Sequence, residues 1–276
     1  MNIIGRGLHN VSARSALHPA CPWPALPPPI NLRLYELPES PCPYLPGRLE
    51  QCRAFLAAAV APHVYHQFMD AGFRRSGELF YQPVCRGCRA CMPIRIPVDR
   101  FAPGKSQRRC FRRNSDLRIT FDRPSFTEEK YDLYCRYVTR RHRKPAVPER
   151  DEFQAFLCTS PVETVEMAYR DSAGRLLAVG VCDVCADSLS SVYFYFDPDH
   201  ERRGLGTFGA MVEIRLAQEM AIPYYYLGYW VSGCRSMEYK SQFRPFELLH
   251  PDGVWREGID GAVMRKQDSQ GIRELP

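Results

Sequence analysis

The run Cys85-Arg86-Gly87-Cys88-Arg89-Ala90-Cys91 carries the sharpest chemical signal in the chain. Thiolates three residues apart in a turn can converge on one metal ion, and soft sulfur favours zinc or an iron–sulfur cluster. Three ligands leave one position open. Cys42, fixed in the proline-rich loop 41–47, is the leading candidate for it, ahead of Cys52 and Cys110. The other reading is a reduced cysteine knuckle without metal. Cys182 and Cys185 share the CxxC spacing but sit in a strand-like segment. Alternate strand residues point to opposite faces, which makes these two core or turn positions.

Arg202-Arg203-Gly204-Leu205-Gly206 joins a strand pattern to an amphipathic helix pattern. A helix start offers unpaired N–H groups and a positive dipole end, and glycines let a phosphate reach the backbone. Acyl-CoA acetyltransferases hold the CoA pyrophosphate in this way. A tight turn with solvated arginines is the alternative. Arg74, Arg75 and Tyr81 form a candidate recognition surface, because arginine forks grip carboxylates through two bonds. A solvated hairpin would use the same residue types. The aromatic run 224–230, which includes Tyr229 and Trp230, is followed by Tyr239, Lys240 and Arg244. That set suits a site that stacks an adenine and grips its phosphates, and it equally suits core packing. Two basic blocks complete the inventory: Lys105, Arg108, Arg109, Arg112 and Arg113, then Arg136, Arg140, Arg141, Arg143 and Lys144. Both suit a phosphate backbone, or a solvated helix face.

These residues need elements to position them. The pattern predicts helices over 48–60 and 64–71, the second stopped by Gly72. It predicts a hairpin over 73–81 turning at Gly77, and a short edge strand through Ile94, Ile96 and Val98. A basic helix is predicted over 108–115. Over 127–141, Tyr131, Tyr134, Cys135 and Val138 share one helical face. Strands follow at 165–169, 176–184 and 189–196, then a helix lined by Phe208, Met211, Val212, Leu216 and Met220, then a strand at 224–229. The fold class is therefore α+β. An acetyltransferase-like (GNAT) domain over 125–260 follows a smaller cysteine-bearing α+β domain over 32–124. Residues 1–31 read as a disordered, proline-rich extension and 261–276 as a flexible tail.

The 276 residues, 45% hydrophobic, allow one large domain or two modest ones. No apolar run reaches the length of a membrane span, and the start has no secretory signal pattern. Twelve cysteines in a chain this long point to free thiols in a reducing cytoplasm rather than a disulfide scaffold. The net charge of +6 is modest, and its clustering matters more than its size.

Eight ordered stretches together resemble the arginyltransferase family, and within it the short bacterial aspartate/glutamate leucyltransferases. They are Cys42-Pro-Tyr-Leu-Pro-Gly-Arg48, Ala71-Gly-Phe-Arg-Arg-Ser76, Cys85 to Cys91, Ser106-Gln-Arg-Arg109 with Arg112-Arg-Asn-Ser-Asp-Leu117, Phe196-Asp-Pro-Asp199, Leu205-Gly-Thr-Phe208, Tyr226-Leu-Gly-Tyr-Trp230 and Tyr239-Lys-Ser-Gln-Phe-Arg244. The resemblance spans 35–257. It implies transfer of leucine from leucyl-tRNA to proteins that begin with Asp or Glu, marking them for degradation. Eukaryotic relatives are described as binding an iron–sulfur cluster through differently spaced N-terminal cysteines. The extended N-terminus and the arginine-rich segment 140–144 depart from the family pattern.

Such a transfer needs no protein nucleophile and no cofactor, because the aminoacyl ester is already activated. It needs a neutral amine beside the ester carbonyl, and a free α-amine has a pKa of about 7.7–8.0. Backbone N–H groups of the central strands are expected to hold the oxyanion, with the proton acceptor unassigned. Arg108, Arg109, Arg112, Arg113, Arg202, Arg203, Gly204 and Gly206 are expected to hold the tRNA. Arg74 and Arg75 are expected to read the acidic side chain. The rival readings are an arginyl-tRNA transferase, an acyl-CoA N-acetyltransferase, and a non-catalytic metal- or RNA-binding adaptor.

Overall fold

The computed structural model describes residues 9–10, 32–141 and 146–258. The expected tail, most of the expected extension, and Arg143 and Lys144 lie outside the described residues. Two sheets organise the chain. Strands β1 (His9–Asn10), β2 (Tyr35–Glu36), β5 (Cys52–Leu56), β6 (Arg74–Ser76) and β7 (Leu79–Pro83) form a five-stranded sheet in the order β1-β2-β5-β7-β6. A two-stranded ladder pairs β3 (Ser40–Pro41) with β4 (Leu49–Glu50). Helix α1 (Pro62–Asp70) covers the first sheet, and Phe55, Tyr65, Phe68, Met69, Phe73 and Phe80 pack between them.

The main sheet has eight strands: β8 (Cys91–Pro97), β9 (Arg118–Asp122), β10 (Thr164–Arg170), β11 (Leu176–Val184), β12 (Ser188–Phe196), β13 (Tyr224–Val231), β14 (Glu247–Leu249) and β15 (Trp255–Glu257). Their spatial order is β15-β14-β8-β13-β12-β11-β10-β9. All neighbours are antiparallel except β12 and β13. Helices α2 (Lys105–Arg113) and α5 (Leu205–Glu219) pack on one face with Met167, Tyr169, Leu177 and Tyr225. Helices α3 (Glu128–Arg141) and α4 (Arg150–Phe153) pack on the other with Ala168, Val179, Val181 and Tyr195. The alternation of Met167, Ala168 and Tyr169 between these two clusters follows from the two-residue period of a strand. Helix α6 (Arg235–Glu238) and a 3-10 turn (Tyr239–Gln242) follow β13. Gly209 lets α5 lie flush on β12, since a Cβ there would fall 2.1 Å from the Phe194 ring.

The α+β class and the strand, glycine loop, helix, strand order agree with expectation. Two elements differ. The stretch 48–60 is not a helix: Leu49, Cys52 and Leu56 mimic helical spacing, but 52–56 pairs along its whole length with β7. Strand β8 is not an edge. It lies between β13 and β14 and is buried from Met92 to Pro97. Its prolines are tolerated because Pro93 sits where the register with β13 slips and Pro97 is the last residue. The expected boundary at 124/125 falls between β9 and α3, and strands from both sides of it join the main sheet.

Candidate active site where two parallel strands part

β12 and β13 pair only through Ser188↔Tyr224, Leu189↔Tyr225 and Ser190↔Tyr226. Beyond these positions they share no pair. The register of β13 against β8 also slips between Tyr226 and Tyr229, around Gly228 at φ +80°. The gap opens toward the start of α5, which Gly204 introduces in the left-handed conformation at φ +70°. β13 backbone groups beyond Tyr226 have no ladder partner on β12, so this is where an oxyanion could meet N–H donors.

Two buried basic groups stand beside the gap. Arg74, 4% exposed, donates from Nη1 to the carbonyls of Phe73 (2.6 Å) and Met69 (3.3 Å) and from Nη2 to that of Gly228 (3.2 Å). Its guanidinium lies 5.3 Å from the Tyr226 ring centre and 5.5 Å from that of Tyr229. Its Nε is buried without a hydrogen-bond partner. Lys240, 9% exposed, donates from Nζ to the Tyr229 carbonyl (2.8 Å) and meets Met237 Sδ at 3.2 Å. Burial, and then the charge of Arg74, push its pKa down to about 7. Among the described residues no carboxylate forms an ion pair with either group. Tyr229 donates its hydroxyl to the Gly72 carbonyl (2.8 Å), and the Tyr81 ring lies 6.4 Å from it. Burial holds both phenols above their usual range.

Other expected site residues are placed differently. Arg75 is not at a recognition surface. It is buried in an ion pair with Asp183, through Nε at 2.6 Å and a second contact from Nη2, and Asp183 also accepts from Tyr65 (2.9 Å) and Thr164 (2.8 Å). Trp230 packs in the main core with its indole N–H unpartnered. Tyr239 is 37% exposed and sits edge-on to Phe243. Glu213 escaped notice in the sequence. It lies on the buried face of α5, accepts from the Tyr225 hydroxyl, and burial raises its pKa to about 7. A charged residue among Met211, Val212 and Ile214 was the available signal.

The first basic block is exposed on α2, where Arg108, Arg109, Arg112 and Arg113 lie beside the glycine loop. Arg113 donates to the Arg202 carbonyl (2.6 Å), while Arg203 is tied to Asn114 Oδ1 (2.9 Å) and to Asp116. Cys110 lies under the loop, with Sγ 3.3 Å from the Gly204 carbonyl. The described arginines of the second block are paired with acids: Arg136 with Asp197 (3.5 Å), Arg140 with Asp199 (2.6 Å) and Arg141 with Glu201 (2.7 Å).

The thiols of Cys42, Cys85, Cys88 and Cys91 are half-buried neighbours. Burial, with Cys85, Cys42 and Cys88 around it, pushes the Cys91 thiol well up. Cys42 Sγ accepts from the Leu45 amide (3.4 Å), and Cys85 Sγ from that of Gln51 (3.3 Å). No three His, Cys, Asp or Glu side chains among the described residues are placed to hold one metal ion.

The profile described as arginine-tRNA-protein transferase, N terminus, matches residues 40–109, and its C-terminal counterpart matches 129–250. The aspartate/glutamate leucyltransferase of Pseudomonas putida strain W619 is 44% identical over 224 residues, which is 79% of this chain and 94% of that protein. The protein of the same name from Hahella chejuensis is 39% identical over 228 residues, 80% and 97% of the two chains. Among solved structures, L-PGS from Bacillus licheniformis gives a TM-score of 0.45 at 13% identity, covering 74% of this chain and 65% of that one. FemX gives 0.44 at 9% identity, covering 65% and 64%. By class the chain is a transferase. It belongs to the arginine-tRNA-protein transferase family.

Proposed function

We propose that this chain transfers leucine from leucyl-tRNA to the α-amine of proteins whose first residue is Asp or Glu, marking them for degradation. The observation that carries this reading is the identity of 44% over 94% of the length of a relative named aspartate/glutamate leucyltransferase. The site supports it. Arg74 is a buried cation beside the parting strands that, among the described residues, has no carboxylate of its own, as a reader of an acidic side chain requires. The half-buried rings of Tyr137, Tyr193 and Phe196 on the β12 side offer an apolar seat for a leucyl group. The arginines of α2, with Arg202 and the start of α5, suit acceptor-end phosphates. The activated ester asks the protein chiefly to hold amine and carbonyl together and to stabilise the oxyanion. The reaction calls for no cofactor.

The test is incubation with radiolabelled leucyl-tRNA or arginyl-tRNA and peptides beginning with Asp, Glu or Ala. Leucine should appear on the Asp and Glu peptides only. Transfer of arginine in place of leucine, or equal labelling of the Ala peptide, would overturn the reading.

A further inference from the structure

We propose that Lys240 takes the proton from the acceptor's α-ammonium group, and that the acceptor's own acidic side chain, seated against Arg74, becomes the counter-ion of the ammonium so formed. This rests on the function proposed above and names the proton acceptor that the family resemblance leaves open.

The hydrogen-bond inventory of Nζ comes first. A neutral lysine amine has two N–H donors and one lone pair, whereas an ammonium has three donors and no lone pair. Nζ has two partners, the Tyr229 carbonyl at 2.8 Å and Met237 Sδ at 3.2 Å. A neutral amine can donate to both and still keep its lone pair for a proton. The surroundings favour that form. Arg74 faces Lys240 from β6, while Cys91 from β8 and the Cys234 thiol exert smaller opposite effects. Tyr81 and Tyr229 stay neutral through burial. The nearest acidic side chain of α6, Glu238, is turned to the Gly233 amide at 2.8 Å.

Position is the second argument. Lys240 lies over the slip in β13. A Cβ at Gly228 would stand 3.7 Å from Nζ, and the residue's positive φ favours glycine, so no side chain fills that approach. Arg74 meets the same residue through the Gly228 carbonyl and keeps a buried Nε unpartnered. Arg74 is a buried cation that, among the described residues, has no carboxylate partner, which is costly, and an incoming carboxylate removes that cost.

The chemistry balances. Lys240 accepts one proton from the acceptor's ammonium and becomes an ammonium itself. The freed amine forms a C–N bond to the ester carbonyl carbon. When the tetrahedral intermediate collapses, the C–O bond to the ribose breaks and the second amine proton goes to the departing oxygen. Lys240 then releases its proton to water. An acidic acceptor side chain stabilises the protonated lysine, so it should raise kcat as well as lower KM.

The experiment measures leucyl transfer from pH 6 to 9 for the wild type, Lys240→Met and Lys240→Arg, with peptides beginning Asp or Asn. Leucyl-tRNA affinity serves as the measure of an intact fold. In kcat/KM, which reports the free enzyme, the wild type should show a rising limb near pH 7, below the ionisation of the acceptor amine. Both variants should lose about 100-fold or more in kcat with the Asp peptide, keep their tRNA affinity, and lose that limb. A wild-type profile that follows the acceptor amine alone, or a limb that survives in the variants, overturns the assignment. The wild-type profile decides even if both variants misfold. Absence of any leucine on Asp and Glu peptides would instead sink the functional reading.

Discussion

At the residue scale, the pair Arg74 and Arg75 shows how adjacent, identical side chains acquire separate tasks. Strand alternation turns them to opposite sides of β6. One reaches the parting strands, and the other crosses to β11 and closes on Asp183. Removing one member of a fully buried pair leaves an uncompensated charge, which costs on the order of 3–5 kcal/mol. Arg75→Ala should therefore lower the denaturant midpoint sharply, read by urea unfolding, and leave acceptor preference unaltered in whatever fraction stays folded. A selective loss of acidic acceptors without loss of stability would contradict this placement. Residue types alone could not separate the two arginines, because the partner, Asp183, lies more than a hundred positions away in sequence.

At the element scale, α2 is the clearest case of a legible feature. Its basic residues and its helical extent are both readable, and the structure keeps Arg108, Arg109, Arg112 and Arg113 exposed. The second block has the same composition, yet Arg136, Arg140 and Arg141 meet acids at 197, 199 and 201, which sequence distance hides. The difference predicts unequal effects on tRNA binding. Arg108→Ala with Arg112→Ala should weaken leucyl-tRNA binding and reduce the slope of log affinity against log salt by roughly 0.7–0.9 for each phosphate that is no longer neutralised. Arg140→Ala should change that slope little. A filter-binding salt titration checks both. The strand 52–56 was illegible for another reason: its apolar spacing fits either period, and only pairing with β7 decides. The parting of β12 from β13 depends on register, which no local pattern records.

At the scale of the whole molecule, the two sheets are bound to each other. Cys185 and Tyr226 of the main-sheet region join the core of the N-terminal sheet, and the Arg75–Asp183 pair crosses between the sheets. β8 also lies in the middle of the main sheet although it precedes residue 125. A fragment of residues 125–258 would lack that central strand and β9, exposing β13 and β14 along buried edges. It should fail to show a cooperative thermal transition, whereas 32–258 should show one. Circular dichroism melting distinguishes them. The order of elements in the C-terminal half was readable from periodicity and turn residues. The dependence of that half on an earlier strand was not, because β8 carries prolines that ordinarily mark an edge.

β13 carries one further consequence. Tyr225 reaches Glu213 beneath the sheet, Tyr226 reaches Asp70 above it, and Tyr229 reaches Gly72 beyond the slip. Each tyrosine is fitted to a different neighbour, so the strand cannot gain or lose a single amino acid without exchanging all three. Length changes should be tolerated better in the exposed turn 172–174, whose bonds are to the flanking residues Arg170 and Asp171, than in 224–231. The C-terminal half of this chain thus has one strand whose length is fixed by three separate partners.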